Sequence, residues 1–448
     1  MRIAGHFHSL QDLWRIDSHT FHPLPCAAHM PRPPKKFHPH PFEYHQEIEV
    51  TIESLSNLGD GIARVPVAPE NDAQAPASHW VVFIPFCLPG ERVRARVFRN
   101  DKNHSRADLL EVLDPAPSRT EPVCPLFGEC GGCQYQHLAY DAQLEWKTQQ
   151  VAELLSHMAG IEHPVEPCHP SPRTVGYRSK ITPHFSKPGK DGIGAIGFLP
   201  NARRSGQIDV PHCPIAMDEI NSALPDIRAE ARRNAKNYRR GATLLLRATE
   251  GRVETNPNAV ATEHINDLSF DFLAGDFFQN NPYILPAFTG HVAEQAVAGG
   301  AKFLVDAYCG SGLFALSLAR HFEQVAGVEV SETSADWARR NARANGIENA
   351  QFLAASAEAI FQDISFDPLH TAVVIDPPRK GCSQEFLDQL IAFSPSRVVY
   401  VSCNPATQVR DLEKLQAGGF LIENIQPFDL FPHTRHLECV MTLRADRQ

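Results

Sequence analysis

No apolar run in the 448 residues approaches the ~20 that a membrane helix needs. The N-terminus shows no charged-then-apolar signal peptide. Eleven cysteines in so long a chain do not form a disulfide framework, so they read as metal-binding or catalytic thiols in a reducing compartment. These absences predict a cytoplasmic protein without a membrane partner. Positive charge is also short overall: the formal net charge is −10, which argues at first against nucleic acid. Its distribution argues otherwise, because electrostatic footprints are local. Pro170 to Glu250 holds 14 Lys/Arg against 7 Asp/Glu, whereas Asp276 to the end holds 13 against 20. The middle of the chain is basic and the C-terminal part acidic.

Residues 1–44 are rich in His and Pro, with little apolar periodicity, and read as a disordered tail in which Met30 is an alternative start. Residues 45–113 carry β signals at Ile48–Ile52, Trp80–Ile84 and Arg92–Phe98, separated by Gly-containing turns at Asn57–Gly61 and Leu88–Gly90. That pattern predicts a small five-stranded, OB-like barrel. Alternation puts Arg92, Arg94 and Arg96 on one strand face, suited to RNA phosphates.

A central α+β domain, residues 114–275, opens with Cys124, Cys130 and Cys133, spaced by five and two residues with Gly131-Gly132 between the last two. Such thiols wrap one zinc ion or one iron–sulfur cluster, and both usually take four ligands. Cys213 is the best fourth candidate, Cys168 the next, with His137 and His212 also open. A helix is expected over Asp141–Met158, strands over Tyr177–Pro183 and Gly192–Phe198. The charge run Arg232–Arg240 is equally a solvated helix face or an RNA contact.

From 276 to 448 strands alternate with helices, which predicts a Rossmann-like α/β domain with a parallel sheet covered on both faces. The loop Asp306-Ala-Tyr-Cys-Gly-Ser-Gly312 lets backbone approach a ligand through Gly310 and Gly312. It lacks the third glycine of a dinucleotide fingerprint. With Glu329 closing the next strand as a ribose acceptor, it suits a nucleoside such as S-adenosylmethionine. Asp376-Pro377-Pro378-Arg379 is a rigid acidic turn at another strand end. The buried run Arg397–Ser402 ends on Cys403-Asn404-Pro405, which presents a thiol at the lip of the sheet. Glu438 begins the last strand and is a candidate base for Cys403.

These motifs, with Phe278-Gln-Asn-Asn281 and His436-Leu-Glu438, resemble the RNA uracil-C5 methyltransferases over roughly residues 45–443. The resemblance implies a TRAM domain at the N-terminal β module, Cys403 as nucleophile and Glu438 as the base that removes the C5 proton. It places Gln279, Tyr308, Glu329 and Asp376 around S-adenosylmethionine, with Ser356 standing where Asn or Asp is usual and Leu313 where asparagine is usual. It implies a [4Fe–4S] cluster on Cys124, Cys130, Cys133 and Cys213, and an RNA partner, either the tRNA T-loop or 23S rRNA. The cluster tilts that choice toward rRNA. No obligate protein partner is indicated. An exocyclic-amine methyltransferase would carry an aromatic after the Pro-Pro turn, where Arg379 stands, and an RNA cytosine-C5 enzyme a cysteine, the nearest here being Cys382. An RNA-binding protein without catalysis is the remaining alternative.

Overall fold

The computed structural model describes residues 37–67, 78–201 and 206–446. Most of the expected His/Pro-rich tail, up to residue 36, lies outside them. The chain forms two compact units, one ending at Ala116 and the other running from Pro117, with Asn57–Gly59 assigned to the second.

The first unit is a six-stranded sheet of Glu47–Thr51, Ser54–Leu55, Asp60–Val67, Ser78–Pro85, Arg92–Asn100 and His104–Asp114. The sixth strand is the short Ser54–Leu55, which pairs with Gly61 and Ile62. Val93, Ala95 and Val97 point inward and are fully buried, so the alternation of this strand holds. The arginines on its other face are not a free cationic stripe. Antiparallel pairing sets Arg92 opposite Asp114, Arg94 opposite Glu111 and Arg96 opposite Asp108, and each pair forms an ion pair. Arg92 also reaches Glu49 at 3.0 Å on the other neighbouring strand. Cross-strand opposite charges sit within reach by register alone.

The second unit is built on a seven-stranded sheet. Its strand order is Ala350–Ala354, Gln324–Glu329, Phe303–Ala307, Thr371–Ile375, Arg397–Ser402, Glu438–Ala445, Phe420–Phe428. The first five run parallel. The strand Glu438–Ala445 is antiparallel to both of its neighbours. Every residue of Thr371–Ile375 and Arg397–Ser402 is buried, as expected of central strands covered on both faces. Their alternation feeds two cores: Val374, Val399 and Val401 face one, Val373, Ile375, Val398 and Tyr400 the other.

The central stretch packs into this same unit rather than standing apart. Its strands are shorter than expected, Lys180–Ile181 and Gly197–Phe198. The helix Tyr140–Leu154 passes into a π-helical turn over Leu155–Ala159. Its buried face is partly polar, holding Gln143, Lys147 and Gln150 beside Trp146, Val151 and Leu154. No helix among the described residues is long and apolar enough to cross a membrane.

Candidate active site

Parallel strands deliver their C-terminal ends to one edge of the sheet, where α/β folds bind ligands. Tyr308–Gly312, Glu329, Asp376 and Cys403 all follow or close such strands, and Ser356 comes two residues after Ala354. Glu438 arrives from the opposite direction. Ser402 pairs with Cys439 and Val401 with Val440, so continuing the register sets Glu438 opposite Cys403. One antiparallel strand among parallel ones thus brings a carboxylate 35 residues away in sequence to the thiol.

The turn after Thr371–Ile375 is tied to the Cys403 loop. Asn404 Nδ2 donates to the Arg379 carbonyl at 3.0 Å, and Thr407 Oγ1 to the same oxygen at 3.3 Å. Gly381 closes the turn at φ +79°, and a Cβ there would lie 2.5 Å from the Arg410 guanidinium and 2.6 Å from Asp411 Oδ2. Cys403 is half-buried. Burial, then the Glu438 and Asp376 carboxylates, push its thiol up to about 11, while the Arg379 guanidinium, hydrogen-bonded to it, pulls down. Glu438 is 3% exposed, and burial with the nearby Asp376 charge holds it well above the carboxylate range. Burial raises Asp376 as well. Arg379, which the sequence marked only as a non-aromatic, is the cation that acts on both Cys403 and Glu438.

Next to these carboxylates, Asp306 is fully buried. Burial, then the Asp376 and Glu329 charges, raise it to about 7. Its Oδ2 accepts the Ala315 N–H at 2.8 Å, while its Oδ1 and the buried Gln279 Oε1 have no partner among the described residues. Glu329 accepts the N–H groups of Gly310 at 3.0 Å and Ser331 at 2.9 Å, so it also braces the glycine loop. Tyr308 takes a left-handed φ of +79°, an unusual conformation for a bulky residue that marks functional turns. Ser356 is exposed.

Cys124, Cys130, Cys133 and Cys213 line one cavity of about 420 Å³, whose wall continues to Arg379, Phe431 and His436. Burial raises Cys133 to about 12 and Cys213 to about 11. Charge on the other three thiols adds to the rise at Cys133, and charge on Cys124 to that at Cys213. Gln136 Oε1 accepts the Cys124 N–H at 2.9 Å. Cys168 is not part of this set: it is buried near Asp429 and Lys147. Among the described residues no three His, Cys, Asp or Glu stand at the spacing that holds a metal ion. Zinc at about 2.3 Å from each sulfur requires thiolates roughly 3.8 Å apart. Phe277, 75% exposed, lines the same cavity, and nothing in its sequence context had marked it.

The family described as tRNA (uracil-5-)-methyltransferase matches residues 226–446, and the TRAM domain matches residues 42–110. The tRNA (uracil(54)-C(5))-methyltransferase of Schizosaccharomyces pombe is 43% identical over 427 residues, 90% of this chain and 79% of the relative. That of Saccharomyces cerevisiae is 34% identical over 479 residues, covering 90% and 74%. The crystal structure of Pyrococcus abyssi tRNA (uracil-54, C5)-methyltransferase in complex with S-adenosyl-L-homocysteine aligns with a TM-score of 0.65 at 25% identity, covering 88% of this chain and 100% of that one. Sequence and fold agree, and the chain belongs to the tRNA (uracil-5-)-methyltransferase family, with a TRAM domain as its N-terminal unit.

Proposed function

We propose that the protein methylates C5 of a uridine in tRNA, the one corresponding to position 54, through a covalent bond between Cys403 and C6. The observation that carries this reading is the strand register, which pairs Ser402 with Cys439 and so brings Glu438 next to Cys403, with the Arg379 guanidinium acting on the thiol. S-adenosylmethionine, when bound, supplies the methyl group from a sulfonium. Gln279, Tyr308, Gly310, Gly312, Glu329, Ser356 and Asp376 would hold it. Two features support the fit: among the described residues, the unpartnered buried oxygens of Gln279 and Asp306, and the Asp376 charge that raises both Asp306 and Glu438, which a bound cation would relieve.

C5 of uracil is a weak nucleophile. Addition of the Cys403 thiolate to C6 forms the S–C6 bond and moves electron density onto C5 and O4, so that C5 can accept the methyl group. Glu438 then takes the C5 proton, the C5=C6 bond re-forms and the S–C6 bond breaks, returning the thiolate. Dividing the reaction this way is covalent catalysis. The target base must leave its stack to reach the crevice, and Phe277 offers an aromatic face beside the cavity.

The four thiols that line one cavity match in number and kind the donor set that would hold a [4Fe–4S] cluster. Bound by Cys124, Cys130, Cys133 and Cys213, the cluster would cross-link the 124–133 loop to Cys213. For RNA contact the basic middle is favoured over the neutralised arginine face. Lys187, Lys190, Arg233, Lys236, Arg239 and Arg240 are exposed, and among the described residues none of them is in an ion pair. Tyr238 packs edge-on against Phe185 at 5.0 Å, which sets the two groups of cations side by side.

The test is methyl transfer to purified tRNA and rRNA from a strain lacking this enzyme, with 5-methyluridine mapped in both. Modification confined to position 54 of tRNA is expected. Modification of rRNA alone would overturn the substrate, and full activity in Cys403→Ala the mechanism.

A further inference from the structure

The segment Asp429–His436, which leads into Glu438, closes one turn on itself through Thr434, which donates to the Phe431 carbonyl and accepts the His436 N–H, and is otherwise held from outside. Lys147 and Asp429 are both fully buried and meet at 2.6 Å. The same Lys147 Nζ donates to the carbonyls of Phe431 at 3.3 Å and His436 at 2.9 Å. Gln143 Oε1 accepts the His433 N–H at 2.9 Å, and its amide donates to the carbonyls of Tyr135 and Leu138. The N–H groups of Gln134 and Tyr135 both donate to the His433 carbonyl at 2.9 Å. Gln134 Oε1 accepts the Arg435 N–H at 3.2 Å. His433 itself takes a φ of +66°, a conformation that persists only where surroundings over-determine it. Gln134 follows Cys133 directly, so the cysteine-bearing loop and the base-bearing loop share one set of hydrogen bonds.

We propose that Lys147, seconded by Gln143, is a positioning residue for proton removal: it clamps the Asp429–His436 loop so that Glu438 stays opposite Cys403. A buried charge pair is by itself weak support for stability, since apolar residues of similar size often serve as well. The pair here also spends two of the lysine's three donors on carbonyls of the loop before the base, one of them two residues from it. A polar stripe on a buried helix face has a purpose where a loop without secondary structure must be set to within a fraction of an ångström. The inference rests on the reading of Cys403 as nucleophile and Glu438 as base.

Its signature is the fate of the covalent adduct. Loosening the base slows release more than addition, so the RNA–protein adduct accumulates. The double substitution Lys147→Met with Asp429→Leu removes the clamp without leaving a buried charge unpaired. It is expected to lower turnover by about 10²-fold, the cost of a misplacement near 1 Å. A denaturation-resistant RNA–protein band should appear, with the KM for tRNA unchanged and melting as in the wild type. Lys147→Arg, which keeps the charge and donors, is expected to restore part of the release rate. Gln143→Met should give the same band more weakly. Glu438→Gln is the reference. If it traps adduct while the double variant folds and turns over without accumulating any, the positioning role is overturned. If Glu438→Gln itself turns over normally without adduct, the base assignment fails instead. Equal slowing of adduct formation and release in the double variant would reduce Lys147 to a structural residue.

Discussion

The Cys403 thiol favours its protonated form in the unliganded protein, and the reasons are local. Its thiol stands at about 11 because it is half-buried between two carboxylates, with Arg379 as the opposing influence. On the proposed mechanism the reactive form is the thiolate, and Glu438, also raised, would act as base only when ionised. Both groups therefore require deprotonation, and single-turnover methylation should rise with pH across the neutral and mildly alkaline range; a rate flat from pH 6 to 9 would contradict this assignment. Arg379→Gln removes the influence that lowers the thiol, so the apparent pKa should move up and the rate at pH 7.5 fall by roughly 10²-fold, as for loss of one oriented donor. Asp306 gives a complementary test. Its folded value of about 7 lies above the ordinary 3.8, so its contribution to stability is greatest at low pH and declines as pH rises toward 7. At pH 8 Asp306→Asn should raise the melting temperature of the unliganded protein, by on the order of 1–4 kcal/mol in stability at 1.36 kcal/mol per pKa unit. The same substitution should weaken binding of S-adenosylmethionine, which titration calorimetry reads directly.

Among the elements, two carry charge whose pairing the sequence alone does not show. The strand Arg92–Asn100 presents alternating arginines, yet Asp114, Glu111 and Asp108 on the next strand neutralise them. Those carboxylates lie about 12 to 22 residues away in sequence, and only the register reveals that they are opposite. The run from Arg233 to Arg240 keeps its exposed cations without such partners among the described residues. Charge reversal at Lys236, Arg239 and Arg240 should lower tRNA affinity. It should also reduce the slope of log K against log salt by about 0.7–0.9 for each phosphate that is no longer neutralised. Neutralising Arg92, Arg94 and Arg96 should change that slope little. A larger fall in slope from the strand variants would return RNA binding to the first unit. The helix Tyr140–Leu154 makes a related point: a helix here was legible, but that Lys147 and Gln143 face inward was not, because their partners at Asp429 and His433 are 282 and 290 residues away.

At the scale of the molecule, four cysteines from two distant segments meet at one cavity that reaches Arg379 and His436. Protein purified without oxygen is expected to be brown and to hold iron and sulfide; stoichiometric zinc without iron would refute the cluster. Cys133→Ser should lose the iron and make the unit from Pro117 onward more sensitive to limited proteolysis. Protection equal to the wild type would separate the cluster from folding.

Local pattern determined a good deal of this protein. The buried β-branched strands Thr371–Ile375 and Arg397–Ser402 follow from side-chain type, as do the breaks at Asp376-Pro377 and Asn404-Pro405 and the glycine loop ending at Gly312. These depend on neighbours within a few residues, and they delivered Cys403 and Asp376 to strand ends. What the tertiary structure decided was everything that depends on register and long-range packing. It decided which strand lies antiparallel, and so how Glu438 comes to face Cys403. It decided which arginines find carboxylates, and that a buried lysine in a helix holds the loop before the base. Charge and hydrogen bonding act across space, and only the folded chain fixes which residues share it.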